Sequence, residues 1–431
     1  MAVAEKTVKK SRSYPKDAYF NPSLLKLALY CEGMRMTPEA ETAVLSGREI
    51  IRTRAGLGSG LELLLPGDIW TNVPVTEAFT SGSPFQLHYE KDEFTVRHAN
   101  GDHVPVKLAP RPGWYGKKTS SGKSMRQVGS LQGTYLGIYP TGVCEFWQGK
   151  NKENCKYCSI GLNLGMDDAM EKTVADVLEV VETARKESHI TYVDFNTGHY
   201  EDESYLARLE PMIMAVKRET GLLIGVQTPP HSDLSRYDRL REMGVNRVSF
   251  CFEIYDRARF AEVCPGKERY YGLERYLKTI EYCASLGRKQ NIREPWVTNG
   301  EIIAGLEEPA SSIDAINHLT SVGAIPTVCV FRPLEGTEYA ELDPPATEDM
   351  VPVFRRLYEA CMEHNLPIGL APNIHVSLVM LPEECAGLSP LAGSASFKFK
   401  NFKLGVKKTV FQHLFLGRLK KRDMARELRR G

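Results

Sequence analysis

The chain has 431 residues, 42% of them hydrophobic and 25% charged, with a formal net charge of +1. That length suits one domain of about 250 residues with appendages, or two to three smaller domains, and the near-zero charge gives the body as a whole no electrostatic reason to bind nucleic acid or an anionic membrane. No run approaches the roughly 18 apolar residues of a membrane span, and the first residues lack the apolar core of a signal peptide, so a cytoplasmic address is expected.

In chain order, a short helix is expected over residues 21–32, followed by a strand-like, turn-rich stretch. Phe85, Leu87 and Tyr89 alternate with polar neighbours. Phe94 and Val96 then face Val104, Val106 and Leu108 across Asn100-Gly101, a strong hairpin signal. The Gly/Ser/Lys-rich stretch 116–122 reads as a boundary. From about residue 131 the rhythm changes to short apolar runs alternating with amphipathic helices. Strands are expected at 134–139, 192–196, 222–228, 247–253, 301–306 and 327–331. The helix after the first begins with Thr173 and Asp176 at capping-box spacing. Six strands each followed by a helix imply parallel pairing through right-handed crossovers. No Gly-x-Gly-x-x-Gly follows the first strand, so the expected fold is α/β: a partial (β/α)6 barrel resembling a TIM barrel, with chemistry at the C-terminal ends of its strands. The expected divisions are an N-terminal β-rich α+β region (1–125), the barrel (126–385) and a basic helical tail (386–431). The tail holds Lys or Arg at twelve positions from Lys398 onward against Asp423 and Glu427. It reads first as a solvated helix packed by Phe411, Leu414, Phe415 and Leu419, and second as a docking element for RNA, anionic lipid or an acidic partner.

Ten cysteines are too few for a disulfide scaffold in a chain this long, and in a reducing compartment clustered ones point to metal or catalysis. Cys144, Cys155 and Cys158 cluster just after the first expected barrel strand. Three thiolates suit an iron–sulfur cubane and leave one iron open, whereas structural zinc wants four ligands. Cys155 and Cys158 alone also fit a redox pair or half a zinc ribbon. The remaining cysteines (31, 251, 264, 283, 329, 361 and 385) are dispersed, with Cys251 and Cys329 expected as small core residues.

The triplet, with Tyr157 just before its last member, resembles the radical S-adenosylmethionine (SAM) superfamily. The first spacing is ten residues rather than the usual three; loop closure grows only logarithmically, so the extension costs about 1 kcal/mol. Further matches follow in order. Thr197-Gly198-His199 ends the second strand where the family receives the SAM amino group, with backbone contact carrying over. Glu253 ends the fourth strand, where a buried carboxylate demands a partner. Cys264-Pro265-Gly266-Lys267 resembles a stretch in relatives of biotin synthase. Ile303, Gly305 and Glu308 match the family's adenine-packing strand, with Glu301 replacing its first glycine, and residues 331–337 end the sixth strand in a familiar way. The resemblance implies a [4Fe–4S] cluster on Cys144, Cys155 and Cys158, and SAM contacts at Thr197, Gly198, Glu253, Ile303 and Gly305. It also implies a ferredoxin- or flavodoxin-like electron donor, and hydrogen abstraction from a small metabolite or cofactor precursor. Arg332, His375 and Lys267 are candidate substrate anchors. An RNA substrate and a non-catalytic zinc or iron–sulfur module are the alternatives. No second cysteine cluster and no Asp-x-His-x-x-Gly cobalamin motif occur.

Overall fold

The computed structural model describes residues 21–51, 57–148, 153–288 and 294–428. The N-terminal helix Pro22–Glu32 is capped by Asn21 and starts on proline, whose missing N–H is harmless at that position. Leu25, Ala28 and Leu29 enter a small core, while Leu27, Tyr30 and Cys31 enter the large one. Both long faces are thus buried, which is why this helix reads as apolar almost all round. Its one buried cation, Lys26, meets Glu384 at 2.8 Å.

The small core lies under a six-stranded sheet in the order Arg35–Met36, Phe85–Glu90, Glu93–His98, His103–Leu108, Leu61–Leu65, Ile69–Val73. The hairpin forms at the expected register, with Phe94 opposite Val106 and Val96 opposite Val104. Leu108 instead pairs with Leu63.

The large core surrounds six parallel strands, β1 (Leu136–Ile138), β2 (Tyr192–Asn196), β3 (Leu223–Gln227), β4 (Arg247–Glu253), β5 (Val297–Ala304) and β6 (Ile325–Val330), adjacent in chain order. Each is followed by one principal helix: α1 (Val174–Ser188), α2 (Tyr205–Thr220), α3 (Ser235–Glu242), α4 (Gly272–Leu286), α5 (Pro309–Val322) and α6 (Thr347–Glu363). Sequential order with every neighbour parallel is the partial (β/α)6 barrel. Ser130–Leu131 runs antiparallel along β1, and Met380 bridges to Val328 beside β6. Strand β5 starts four residues before the expected position, which polar Thr298 and Asn299 had hidden in the sequence. Asn299 is nevertheless held inside the barrel, bonded to Arg247 and Thr327 at 3.0 Å each.

The Thr173/Asp176 capping box opens α1 as its spacing predicted. The tail forms one helix, α7 (Ala395–Glu427), about 50 Å long at 1.5 Å per residue. Phe397, Phe411, Phe415 and Leu419 are buried on its inner face, whereas Leu414 is exposed, contrary to expectation. Among the described residues no helix is long and apolar enough to cross a membrane.

Candidate active site

One cavity of about 760 Å³ runs down the inside of the barrel. Cys144, Cys155 and Cys158 all border it, as do Thr197, Gly198 and Glu253; Ile303 and Gly305 are not among its lining residues. The cysteines sit on the connection between β1 and α1, and a backbone bond from Cys158 N to Cys155 O (3.0 Å) makes the tight turn that brings two thiols to one rim. Cys144 is fixed from the neighbouring strand end. The His199 amide donates to its Sγ at 3.4 Å, and a Cβ on Gly198 would lie 2.6 Å from the Cys144 Cβ. Only glycine allows that approach.

The thiols differ electrostatically. Burial pushes Cys144 up to about 11 and raises Cys158 further. A hydrogen bond from Cys264, helped by the Lys267 charge, holds Cys155 below the ordinary thiol range. Cys264 is fully buried behind Cys155 and does not border the cavity. Among the described residues, no three His, Cys, Asp or Glu side chains converge on a point that would hold a single metal ion.

Aromatic rings pack the mouth. His199 stacks on Phe146 with centroids 4.0 Å apart, and its Nδ1 bonds the Tyr271 hydroxyl. Burial lowers its pKa to about 4, so the imidazole is neutral at pH 7. Among the described residues its Nε2, the Trp147 Nε1 and the Ser159 hydroxyl are buried without a partner, all around the cysteine loop. Such orphans are uncommon in a finished interior.

Glu253 closes β4 at a register shift and holds a φ of +60°, a strained conformation for a non-glycine residue. Burial pushes its carboxyl up to about 8, while Lys267 pulls the other way. Lys267 is its ion-pair partner and also donates to Cys251 O at 2.6 Å.

Of the other candidate anchors, Arg332 and His375 do not border the cavity. Arg332 is buried against the N-terminal sheet, donating to Asn72 Oδ1 at 3.1 Å and Asn72 O at 2.5 Å, with its guanidinium over the Tyr30 ring. Its role is to dock the two sheets.

Deeper down, sequence reasoning missed a polar girdle. Arg247 of β4 meets Asp194 of β2 at 3.2 Å and Glu301 of β5 at 2.9 Å. Glu301 also accepts from Ser249 (2.5 Å), Cys251 (3.2 Å) and Gln227. Cys251 and Cys329 are wall residues of the cavity, not simply core. The signal available was polar residues alternating along predicted strands, as in Arg247, Ser249 and Cys251, which in a barrel interior is period-two patterning turned inward.

The radical SAM superfamily profile matches residues 152–317, a span that includes Cys155 and Cys158 and begins just after Cys144. Over that span the chain matches a radical SAM domain. It is 21% identical over 351 residues to bacteriochlorophyllide c C-7(1)-hydroxylase of Chlorobaculum limnaeum, covering 76% of this chain and 81% of that one. Among solved structures it resembles methylornithine synthase (18% identity, TM-score 0.41, 52% of this chain and 62% of that one). It also resembles the FeFe-hydrogenase maturase HydG from Carboxydothermus hydrogenoformans (16% identity, TM-score 0.39, 53% and 52%). The chain thus spans less than two thirds of either structure. A radical SAM domain is an enzyme domain, and the family implies a [4Fe–4S] cluster, SAM and a reductant.

Proposed function

We propose that this enzyme holds a [4Fe–4S] cluster on Cys144, Cys155 and Cys158, cleaves SAM reductively, and abstracts a hydrogen atom from a small metabolite or cofactor precursor inside the barrel. The observation that carries the reading is three thiols from one connection on the rim of a 760 Å³ cavity. The residues fit the group. The three thiols border one cavity, and among the described residues the Trp147 Nε1, Ser159 hydroxyl and His199 Nε2 are buried without a partner beside the loop where a cluster and its ligand would lie. When bound, the cluster and SAM supply the electron and the adenosyl radical that takes the hydrogen atom.

The chain's own residues do the rest. The Thr197-Gly198 backbone and the Glu253 carboxylate would receive the polar end of SAM, whereas Ile303 and Gly305, which do not border the cavity, are given no contact with it. Neutral His199, pinned by Phe146 and Tyr271, fixes Cys144 through its amide and keeps the mouth dry. Below it the walls are mostly apolar, with Arg247 and Glu301 as a charged pair on the wall and Asp194 behind them bonding Arg247. An apolar cavity with a few convergent polar groups suits a small molecule with an apolar body and one polar handle. A ferredoxin- or flavodoxin-like protein would deliver the electron.

The test is anaerobic reconstitution with iron and sulfide, then reduction in the presence of SAM. A brown protein that releases 5′-deoxyadenosine is expected. A colourless protein that takes up only zinc and leaves SAM intact would overturn the reading.

A further inference from the structure

Helix α7 has two apolar faces, and among the described residues only one is covered. The inner face is fully engaged. Phe411 and Phe415 are buried, Lys400 donates to Met362 O at 2.8 Å, and Arg418 pairs with Glu294 at 2.7 Å. Phe411 and Lys407 also border the barrel cavity.

The outer face is different. Phe399 and Phe402 are 58% and 68% exposed, and Val406 and Val410 are 50% and 44% exposed. At 3.6 residues per turn these four fall within an arc of about 80°, opposite Phe411 and Phe415. Lys398 and Lys403 border the stripe, with Lys403 Nζ lying 4.4 Å from the Phe399 ring centroid. Lys407, Lys408, Lys420 and Lys421 are exposed along the same helix, and no Asp or Glu occurs between residues 395 and 422.

We propose that this outer face seats the enzyme on an anionic lipid surface, with α7 lying in the plane of the headgroups. An exposed apolar stripe flanked by lysines is the composition of an interfacial helix. Its phenylalanines reach the acyl boundary while the lysines meet phosphate oxygens. Charge separates this occupant from a second copy of the chain, whose facing lysines would repel. Side-chain chemistry favours it over RNA, because Phe399 and Phe402 could stack bases but Val406 and Val410 continue the same stripe with aliphatic groups that suit an acyl boundary. Since the inner face is pinned by ion pairs, the helix need not unfold or detach to bind.

The test is co-sedimentation of the full-length, cluster-loaded protein with vesicles of phosphatidylcholine alone or mixed with phosphatidylglycerol. Two variants, F399S/F402S and K398E/K403E, are checked first for unchanged circular dichroism and thermal midpoint. The wild type is expected to partition at least tenfold more strongly onto the anionic vesicles, less so as salt rises. Each variant is expected to lose at least tenfold of that binding. Equal partition onto neutral vesicles, or F399S/F402S binding like wild type, overturns the proposal. So does lysine-dependent binding to polyuridylate with no anionic-vesicle binding, or a dimer that the phenylalanine variant abolishes.

Discussion

Cys158 and Cys283 are both cysteines in the large core region, yet only one opens on the cavity. Cys158→Ala should therefore drop bound iron from about four per chain to near background, while Cys283→Ala keeps it at a small cost in stability. Iron analysis with visible absorption checks this, and equal loss in both would refute the ligand assignment. Gly198→Ala is a subtler probe, since the new Cβ would also lie 2.9 Å from the Cys144 Cα. Overpacking of this kind costs about 1–3 kcal/mol. We expect a folded protein with sharply reduced iron content, and full iron content would mean that Cys144 does not depend on this close approach. Lys267→Met removes the cation that opposes burial at Glu253, so the buried carboxyl should take up a proton at neutral pH and the melt should show a loss of about 1–3 kcal/mol. An unchanged melt would mean that the pair is not closed in solution. The sequence showed the cysteines and Glu253 because each carries chemistry that demands a partner. It hid the identity of that partner, since Lys267 reads equally well as a loop cation until Pro265 folds its segment into a short helix.

At the scale of elements, the start of α1 ties the loop before the barrel to its first helix. Asp176 accepts from Thr119 (2.9 Å), Ser121 (2.5 Å), Lys123 (2.7 Å) and the Thr173 amide (2.9 Å). Burial pushes its carboxyl up, but the bonds from Lys123, Ser121 and Thr173 outweigh this and hold it well below the ordinary carboxylate range. A depressed folded pKa adds stability that is complete at neutral pH and is lost as pH falls through that range toward the depressed value. Asp176→Ala should cost about 2 kcal/mol at neutral pH, and the deficit should shrink in acid. Urea melts of the cluster-free protein across that interval measure it, and a deficit that grows in acid contradicts the assignment. This cap was legible from two residues because capping is local. The early start of β5 was not, because Asn299 is satisfied by Arg247 and Thr327 from neighbouring strands, partners that only tertiary structure supplies.

For the whole molecule, the barrel is legible because six apolar runs alternate with amphipathic helices, which leaves few topologies open. The placement of the N-terminal sheet is not legible, since it depends on a buried arginine reaching Asn72, on Glu62 accepting from Gly133 and Ser377, and on a helix apolar on both sides. The cavity's girdle escaped for the same reason. Charged residues on strands read as solvent-facing until the barrel closes round them. On the proposed reading, the parts are unified by three thiols that would hold a cluster with one open iron at the rim of a mostly apolar cavity. The direct measurement is pulsed electron–nuclear double resonance on the reduced, reconstituted protein, with SAM labelled with nitrogen-15 at the methionine amino group. The account predicts a nitrogen-15 coupling to the cluster that appears with SAM and is absent without it. A fully loaded cluster whose spectrum does not change at saturating SAM would contradict the account.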